Sequence, residues 1–143
     1  MSNNGGAAEF TPAVISENAS VVLEKRYLQK NEASEIVESP VGMFRRVAKA
    51  LASPELKYEK TPDEVAKLEE DFFQAMASLE YLPNSPTMMN AGTGEGTLSA
   101  CFVLPLRDSM EGIMGAAHDA AMVQKFGGGT GFPKASSQGN VCT

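Results

Sequence analysis

The stretch of sequence that decides the fold is residues 98–132, LSACFVLPLRDSMEGIMGAAHDAAMVQKFGGGTGF. Its first nine residues, Leu98 to Leu106, form a short apolar run with β-formers and predict a buried strand. Asp108 is then predicted to cap a helix, with Glu111 three residues later. The apolar positions of that helix recur at helical spacing and predict a buried stripe: Met110, Ile113, Met114, Ala117 and Ala121.

The helix is followed by a glycine cluster, FGGGTGF, at residues 126–132. It is not a P-loop, because no Lys follows the second glycine at the spacing of GxxxxGK[ST]. It is not a dinucleotide fingerprint either, because that motif follows a strand and opens a helix, whereas here a helix comes first. Two alternatives remain open: a flexible or tightly bent connection, which the spacing slightly favours, and backbone that approaches a ligand as closely as only glycine allows.

Three amphipathic helices are predicted upstream of this stretch. Ser16 can cap the first, Ser39-Pro40 can begin the second, and the capping-box pattern Thr61-Pro62-x-Glu64 can begin the third. The apolar side of the first helix consists of Val21, Val22, Tyr27 and Leu28. The stripes of the second and third helices are Met43, Phe44, Val47, Ala48 and Leu51, and Val65, Leu68, Phe72, Met76 and Leu79.

The composition changes near Leu82. Residues 1–82 hold 9 Lys/Arg, 14 Asp/Glu and 3 glycines, whereas residues 83–143 hold 3 Lys/Arg, 4 Asp/Glu and 10 glycines. The first part is therefore typical of charged helices, and the second of strands and tight turns. At the start of the second part, the sequence Asn84-Ser85-Pro86-Thr87 predicts a turn or the entry to a strand.

The overall composition excludes several classes of protein. The chain has 143 residues, 43% apolar and 21% charged, with a net charge of −6, which is ordinary for a globular protein. The negative charge argues against a nucleic-acid surface, and no run approaches the roughly 20 apolar residues of a membrane helix. No secretory signal is visible, so a cytoplasmic, reducing location is expected.

The two cysteines and the single histidine are the obvious candidates for chemistry. Cys101 lies within the predicted strand, which favours a buried structural thiol over a reactive one. Cys142 could pair with Cys101, although the sequence cannot show it. His118 has no evident partner and is interpreted as a surface or packing residue, and no metal site is predicted.

Several segments in a fixed order give the chain a family resemblance. They are SENASVVLEKRYL (16–28), PNSPTMMNAG (83–92), LSACFVLP (98–105), Asp108-Ser109-Met110 and GGGTGF (127–132). Together they resemble the N-terminal portion of a ribonucleotide reductase catalytic chain, most closely the adenosylcobalamin-dependent class. The resemblance covers about residues 14–132, and each motif is weak alone but specific in this order.

The resemblance implies an α/β fold: an N-terminal helical region followed by the first strands of a ten-stranded α/β barrel. It divides the chain into a flexible arm (1–13), a helical region (14–82), the start of the barrel (83–132) and a divergent tail (133–143). A chain of this length cannot close the barrel. The tail, PKASSQGNVCT, departs from the family, and a truncated, shifted or rearranged gene or an inserted element beginning at Cys142 would each explain it.

The resemblance also assigns roles to individual residues. Ser85, Ala100, Cys101 and Gly129 match positions that hold the substrate nucleotide. Cys101 would be one of two redox-active thiols that reduce the ribose and become a disulfide. Asp108 matches a position that binds the deoxynucleotide effector, a role compatible with capping a helix.

The family mechanism runs through a thiyl radical, which adenosylcobalamin generates in the cobalamin class. The thiyl cysteine and the second reductant cysteine lie far downstream in the family, so the cofactor would be bound mainly outside this chain. The implied partners are a ribonucleotide substrate, a deoxynucleotide effector, a thioredoxin-like reductant and a second copy or partner chain, with no nucleic acid and no membrane.

This interpretation predicts that the 143-residue chain alone is inactive. Two further hypotheses are a non-catalytic module that joins a partner chain completing the barrel, and an unrelated nucleotide-binding domain that uses GGGTGF. A stable monomer would count against the module, and tight nucleotide binding by the isolated chain would favour the unrelated domain.

Overall fold

The structure, a computed structural model, describes residues 13–133. It divides the chain into two units, residues 1–82 and 83–143, at the point where the composition changes. The predicted arm and tail lie, apart from residues 13 and 133, outside the described residues.

The first unit is helical. It contains α1 (Glu17–Arg26), α2 (Pro40–Ala52), a 3-10 helix (Ser53–Tyr58) and α3 (Pro62–Ala77). The three α-helices begin where the sequence predicts, because the hydroxyls of Ser16, Ser39 and Thr61 each accept a hydrogen bond from an N–H three residues on. Glu64 completes the predicted capping box by accepting from the Thr61 N–H at 2.8 Å.

The core of this unit lies between α2 and α3, which pack against each other. Its buried side chains are Leu28, Met43, Phe44, Val47, Ala48, Ala52, Val65, Phe73, Met76 and Ala77. Phe73, rather than the predicted Phe72, is fully buried, and Leu79 is 45% exposed because α3 ends at Ala77. The predicted apolar side of α1 is also largely wrong: α1 has no buried residue, and only Leu28, just beyond its end, is buried.

The second unit contains α4 (Ser85–Asn90), β1 (Cys101–Val103), α5 (Met110–Lys125) and β2 (Gly129–Gly131). The two strands are parallel, with Cys101 opposite Gly129 and Val103 opposite Gly131. The prediction of a turn or strand entry at residues 84–87 is wrong. Asn84 is instead the N-cap of α4, and Pro86 occupies its first turn, where a missing N–H has no cost.

The strand and helix predicted for residues 98–125 are present, but the residues predicted to be buried in them are not buried. The strand is shorter than Leu98–Leu106, because Leu104 donates the last ladder hydrogen bond to Gly131 O at 2.9 Å and Pro105 has no N–H. Its Val103 is 79% exposed. Of α5, only Ala116 is buried, so the predicted stripe is exposed or half-exposed within residues 13–133. A matching periodicity fixes which residues share a face, whereas burial requires a second surface against that face.

The two remaining local predictions are each partly right. The N-cap of α5 is Ser109, whose hydroxyl accepts from the Gly112 N–H at 3.0 Å, so Asp108 lies one residue before the cap. The glycine cluster combines a bend at Gly127, with φ +83°, and the strand β2. Over residues 13–133, no helix has the length and apolar character needed to cross a membrane.

Candidate active site

Helix α4 fixes the chain that enters β1. Asn84 accepts from the Thr87 N–H at 2.9 Å and so closes the first turn of the helix. Thr87 is buried, and its hydroxyl donates to the carbonyl of Leu98 at 2.8 Å. This bond ties the helix to the segment three residues ahead of Cys101.

Three of the predicted site residues lie together at the start of the two strands. Cys101 and Gly129 are partners in the ladder, and the Gly129 N–H donates to the carbonyl of Ala100 at 2.6 Å. Because the two strands are parallel, β1 and β2 run from this point in the same direction. The beginnings of β1 and β2 are thus one local structure.

The thiol of Cys101 is exposed, which contradicts the prediction of a buried structural cysteine. Side chains alternate along a strand, so Cys101 and Val103 share one face and Phe102 points to the other. Phe102 is half-buried and lies beside Gly128. The neighbouring apolar side chain of Phe102 is therefore on the opposite face from Cys101, and the thiol is accessible. A pairing with Cys142 lies outside the described residues.

The two other predicted site residues lie at different places in the unit. Ser85 is the first residue of α4 and is exposed, on the helix that Thr87 ties to the entry of β1. Asp108 is exposed and lies beyond the far end of β1, directly before the N-cap of α5. The structure thus places Ser85 on the element beside the strand starts, and Asp108 past the opposite end of the strand.

The glycines of the cluster have different environments. Gly127 has the left-handed φ of +83°, which other residues rarely adopt. A Cβ on Gly128 would lie 2.6 Å from Val123 Cγ1 and 3.3 Å from Phe102 Cε2, so this position has no room for a side chain. A Cβ on Gly129 would meet only the carbonyl of Ala100, at 3.5 Å, which is an ordinary contact.

Two residues that support the site were not identified from the sequence. Thr87 and Asn90, both in α4, hydrogen-bond to the backbone ahead of the strands. The signal for α4 was present: Asn84 followed by a Pro in the next two residues is a helix start. Nothing in the sequence indicates which carbonyls these side chains reach, because their partners are 7 to 36 residues away.

No metal centre forms in the described part of the chain, where no three His, Cys, Asp or Glu side chains converge. His118 is on the surface, one of the two predicted alternatives, but it does have a partner, since its Nδ1 lies 3.3 Å from an oxygen of Asp119. The part of the chain that the structure describes is thus mostly helical, with one small parallel sheet of two strands and an exposed cysteine at the start of the first strand.

Comparison with known proteins gives this chain a family. Residues 14–96 match the ribonucleotide reductase all-alpha domain. A vitamin B12-dependent ribonucleoside-diphosphate reductase of Thermoplasma acidophilum is 38% identical over 80% of this chain and 22% of the relative. A reductase of the same name from Mycobacterium tuberculosis is 42% identical over 82% of this chain and 17% of the relative. The alpha subunit of a ribonucleoside-diphosphate reductase from Helicobacter pylori is 32% identical over 77% of this chain and 13% of the relative.

The chain belongs to the ribonucleotide reductase family, as the motif order indicated. It spans about a fifth or less of the length of these curated relatives. The matched domain includes the helical unit and continues through α4 to residue 96.

Proposed function

We propose that this chain supplies the N-terminal part of a reductase that converts ribonucleotides to deoxyribonucleotides, and that Cys101 is one of its two redox-active thiols. The observation that carries the proposal is the accessible Cys101 thiol directly opposite Gly129 in the ladder. A thiol that must reach a substrate has to be exposed in the protein before the substrate binds. In the part of the chain that the structure describes, Cys101 is exposed.

Gly129 supports a substrate at the same place. The packing of this unit explains glycine at positions 127 and 128 but not at position 129, where a Cβ would make only an ordinary contact. A glycine without an internal reason is consistent with backbone that an external group approaches closely. We place the ribose of the nucleotide against Gly129 and Ala100, beside the Cys101 thiol.

The reaction needs two thiols for each nucleotide. As the C2′–O bond of the ribose breaks, the oxygen leaves as water and C2′ gains a hydrogen. The two thiols lose two electrons and two protons in total and become a disulfide. Cys101 would supply one thiol and a cysteine elsewhere in the reductase the second, and a thioredoxin-like dithiol would then reduce the disulfide for the next turnover.

The other predicted residues have separate roles in this proposal. The hydroxyl of Ser85, the exposed first residue of α4, would hydrogen-bond the phosphates of the substrate. The carboxylate of Asp108 would accept a hydrogen bond from a ribose hydroxyl of a deoxynucleotide effector. The position of Asp108 beyond the opposite end of β1 is consistent with an effector separate from the substrate.

Adenosylcobalamin is the cofactor that the names of the first two relatives support. When bound, it would supply the radical that starts the reaction. None of residues 13–133 is proposed to bind adenosylcobalamin. The roles proposed for Cys101, Gly129 and Ser85 do not depend on contact with the cofactor.

The strand pair supports the further proposal that β1 and β2 begin a larger barrel. Two strands alone are marginally stable in water, and a strand edge with unpaired backbone groups accepts another strand. We propose that the ten-stranded barrel is completed by other reductase sequence, in the same polypeptide, a partner chain or a second copy.

The test of the proposed function is Cys101→Ser in the polypeptide that carries this sequence, with Cys142→Ser as the matched control. Serine has nearly the same size but cannot form a disulfide. We expect Cys101→Ser to abolish multiple turnovers of deoxyribonucleotide formation with a dithiol reductant, and Cys142→Ser to retain them. Normal turnover by Cys101→Ser would refute the assignment of the redox thiol.

A further inference from the structure

The side chain of Asn90 joins the two segments that lead into the strands. Its Nδ2 donates to the carbonyl of Thr97 at 2.8 Å and to the carbonyl of Phe126 at 3.1 Å. Both partners are carbonyl oxygens, so the amide nitrogen must face them and both of its N–H groups are used. Thr97 precedes Cys101 by four residues, and Phe126 precedes Gly129 by three.

The surrounding backbone is shaped to admit this amide. Gly96 has φ +79°, and a Cβ there would lie 2.6 Å from Cγ and 2.8 Å from Nδ2 of Asn90. The loop before β1 therefore passes directly over the amide. On the other side, the left-handed turn at Gly127 follows directly after the Phe126 carbonyl that Asn90 holds.

We infer that Asn90 is a positioning residue, which holds the Cys101 thiol in register against Gly129. The ladder between β1 and β2 is only three residues long, and its first bond, from Gly129 N–H to Ala100 O, forms just beyond the two carbonyls that Asn90 holds. A slip of one residue would place Cys101 opposite a different residue and turn side chains to the other face. The catalytic consequence rests on the proposed function, whereas the structural link does not.

Helix α4 offers a matched pair of variants. Asn90 uses its nitrogen as a double donor, whereas Asn84 uses its oxygen to accept from the Thr87 N–H. Changing either residue to Asp replaces an amide with a carboxylate of the same shape. Asp caps a helix as well as Asn does, so Asn84→Asp should be neutral. Asn90→Asp loses two donors and directs oxygen at two carbonyl oxygens.

The first readout is hydrogen exchange of the Gly129 amide, followed in the complete polypeptide. We expect Asn90→Asp to accelerate this exchange roughly tenfold or more relative to wild type, because two hydrogen bonds are lost. Asn84→Asp should leave it unchanged. Unchanged exchange in Asn90→Asp, or an unprotected Gly129 amide in the wild type, would overturn the inference.

A second pair of variants displaces the amide without changing it. Gly94 and Gly96 both have a left-handed φ, of +81° and +79°, so alanine is similarly strained at both. Only at position 96 would the new Cβ meet Asn90, since a Cβ on Gly94 has nothing within 4 Å. Gly96→Ala should accelerate Gly129 exchange more than Gly94→Ala does. Equal effects would show that the amide is not what holds the strands, and would overturn the inference even if Asn90→Asp failed to fold.

The catalytic readout separates positioning from mere stability. We expect Asn90→Asp to lower kcat for deoxyribonucleotide formation roughly tenfold or more, and to regain part of it as the pH falls, because a neutral carboxyl can donate one hydrogen bond. Asn90→Leu, which cannot donate at any pH, should not recover. Equal pH profiles for the two variants would overturn the positioning role. A failure of the proposed function would look different: Cys101→Ser would stay active while Gly129 exchange still responded to Asn90.

Discussion

The carboxylate of Glu38 accepts hydrogen bonds from both Arg46 and Gln29. Arg46 donates to it twice, from Nε at 2.7 Å and from Nη2 at 3.0 Å, and the Gln29 N–H donates at 3.2 Å. The Arg46 and Glu38 side chains are only 16% and 11% exposed. The pair links the loop before α2 to the second turn of that helix. We predict that Glu38→Gln, which removes the charge and keeps the volume, destabilises the chain.

The magnitude follows from this burial. Breaking a fully buried ion pair costs roughly 3–5 kcal/mol, because the remaining charge has no partner. Solvent still reaches part of Arg46, and the amide oxygen of Gln can still accept one hydrogen bond. We therefore expect a loss of about 2 kcal/mol in the free energy of unfolding.

The neighbouring pair, Arg45 and Glu70, is a matched control. Its N–O distance is 2.6 Å, and the hydrogen bond from Arg45 lowers the pKa of Glu70. Both side chains are however 44% exposed, so water and salt screen the interaction. Arg45 also lies over the ring of Phe73 at 3.5 Å, a contact that Glu70→Gln leaves in place. Glu70→Gln makes the same change of net charge and should cost less than about 1 kcal/mol.

The assay is urea denaturation at pH 7, followed by the helical circular dichroism signal in low and high salt. Salt should reduce the already small effect of Glu70→Gln and leave most of the effect of Glu38→Gln, since partly buried pairs are screened less. Equal losses for the two variants, or the larger loss at Glu70, would refute the argument that burial sets the strength of these pairs.

Two further predictions concern the packing of the strands and the capping box. Gly128→Ala should lower the free energy of unfolding by roughly 1–3 kcal/mol, because the new Cβ would lie 2.6 Å from Val123 Cγ1. Gly131→Ala is the control, since its Cβ would meet nothing closer than 4.0 Å, and it should change the free energy of unfolding by no more than about 0.5 kcal/mol in the same urea assay. Hydrogen bonds from the N–H and hydroxyl of Thr61 lower the pKa of Glu64 below its ordinary 4.5. The charged Glu64 therefore stabilises the folded chain at pH values above 4.5. This stabilisation is lost as the pH falls through the lower pKa of the folded chain. Wild type should therefore exceed Glu64→Gln in stability at pH 7, and the difference should disappear in strong acid; a difference that persists there would contradict the assignment.

The parts of the fold that the sequence predicts well are those decided by near neighbours. The starts of α2 and α3 are correct because Ser39 and Thr61 bond to N–H groups only three residues away. Four of the five predicted residues of the α2 stripe are buried, since α3 follows closely in the chain and covers them. Local hydrogen bonds and a nearby helix are both visible in the pattern of residues.

The wrong predictions concern features that depend on distant partners or on a small phase difference. Phe72 and Phe73 are adjacent aromatic residues, and a rotation of 100° around α3 decides which one is buried. The face of α5 containing Met110 and Met114 has the right spacing for a core but is exposed in the described part of the chain. The apolar neighbours of Cys101 predict a buried thiol, whereas strand alternation places it on the opposite face from Phe102.

The glycine cluster shows why the candidate site could be only partly predicted. The sequence is compatible with two explanations for the glycine cluster as a whole, a tight bend or the close approach of a ligand. In the structure the explanations separate by position: Gly127 makes the bend, Gly128 makes room for Val123 and Phe102, and Gly129 does neither. Residues 127–129 are all glycine, so no sequence pattern can assign them different roles. Their division requires the backbone angle and the neighbours of each one, and it leaves Gly129, opposite the accessible thiol of Cys101, as the glycine that the packing of this unit does not explain.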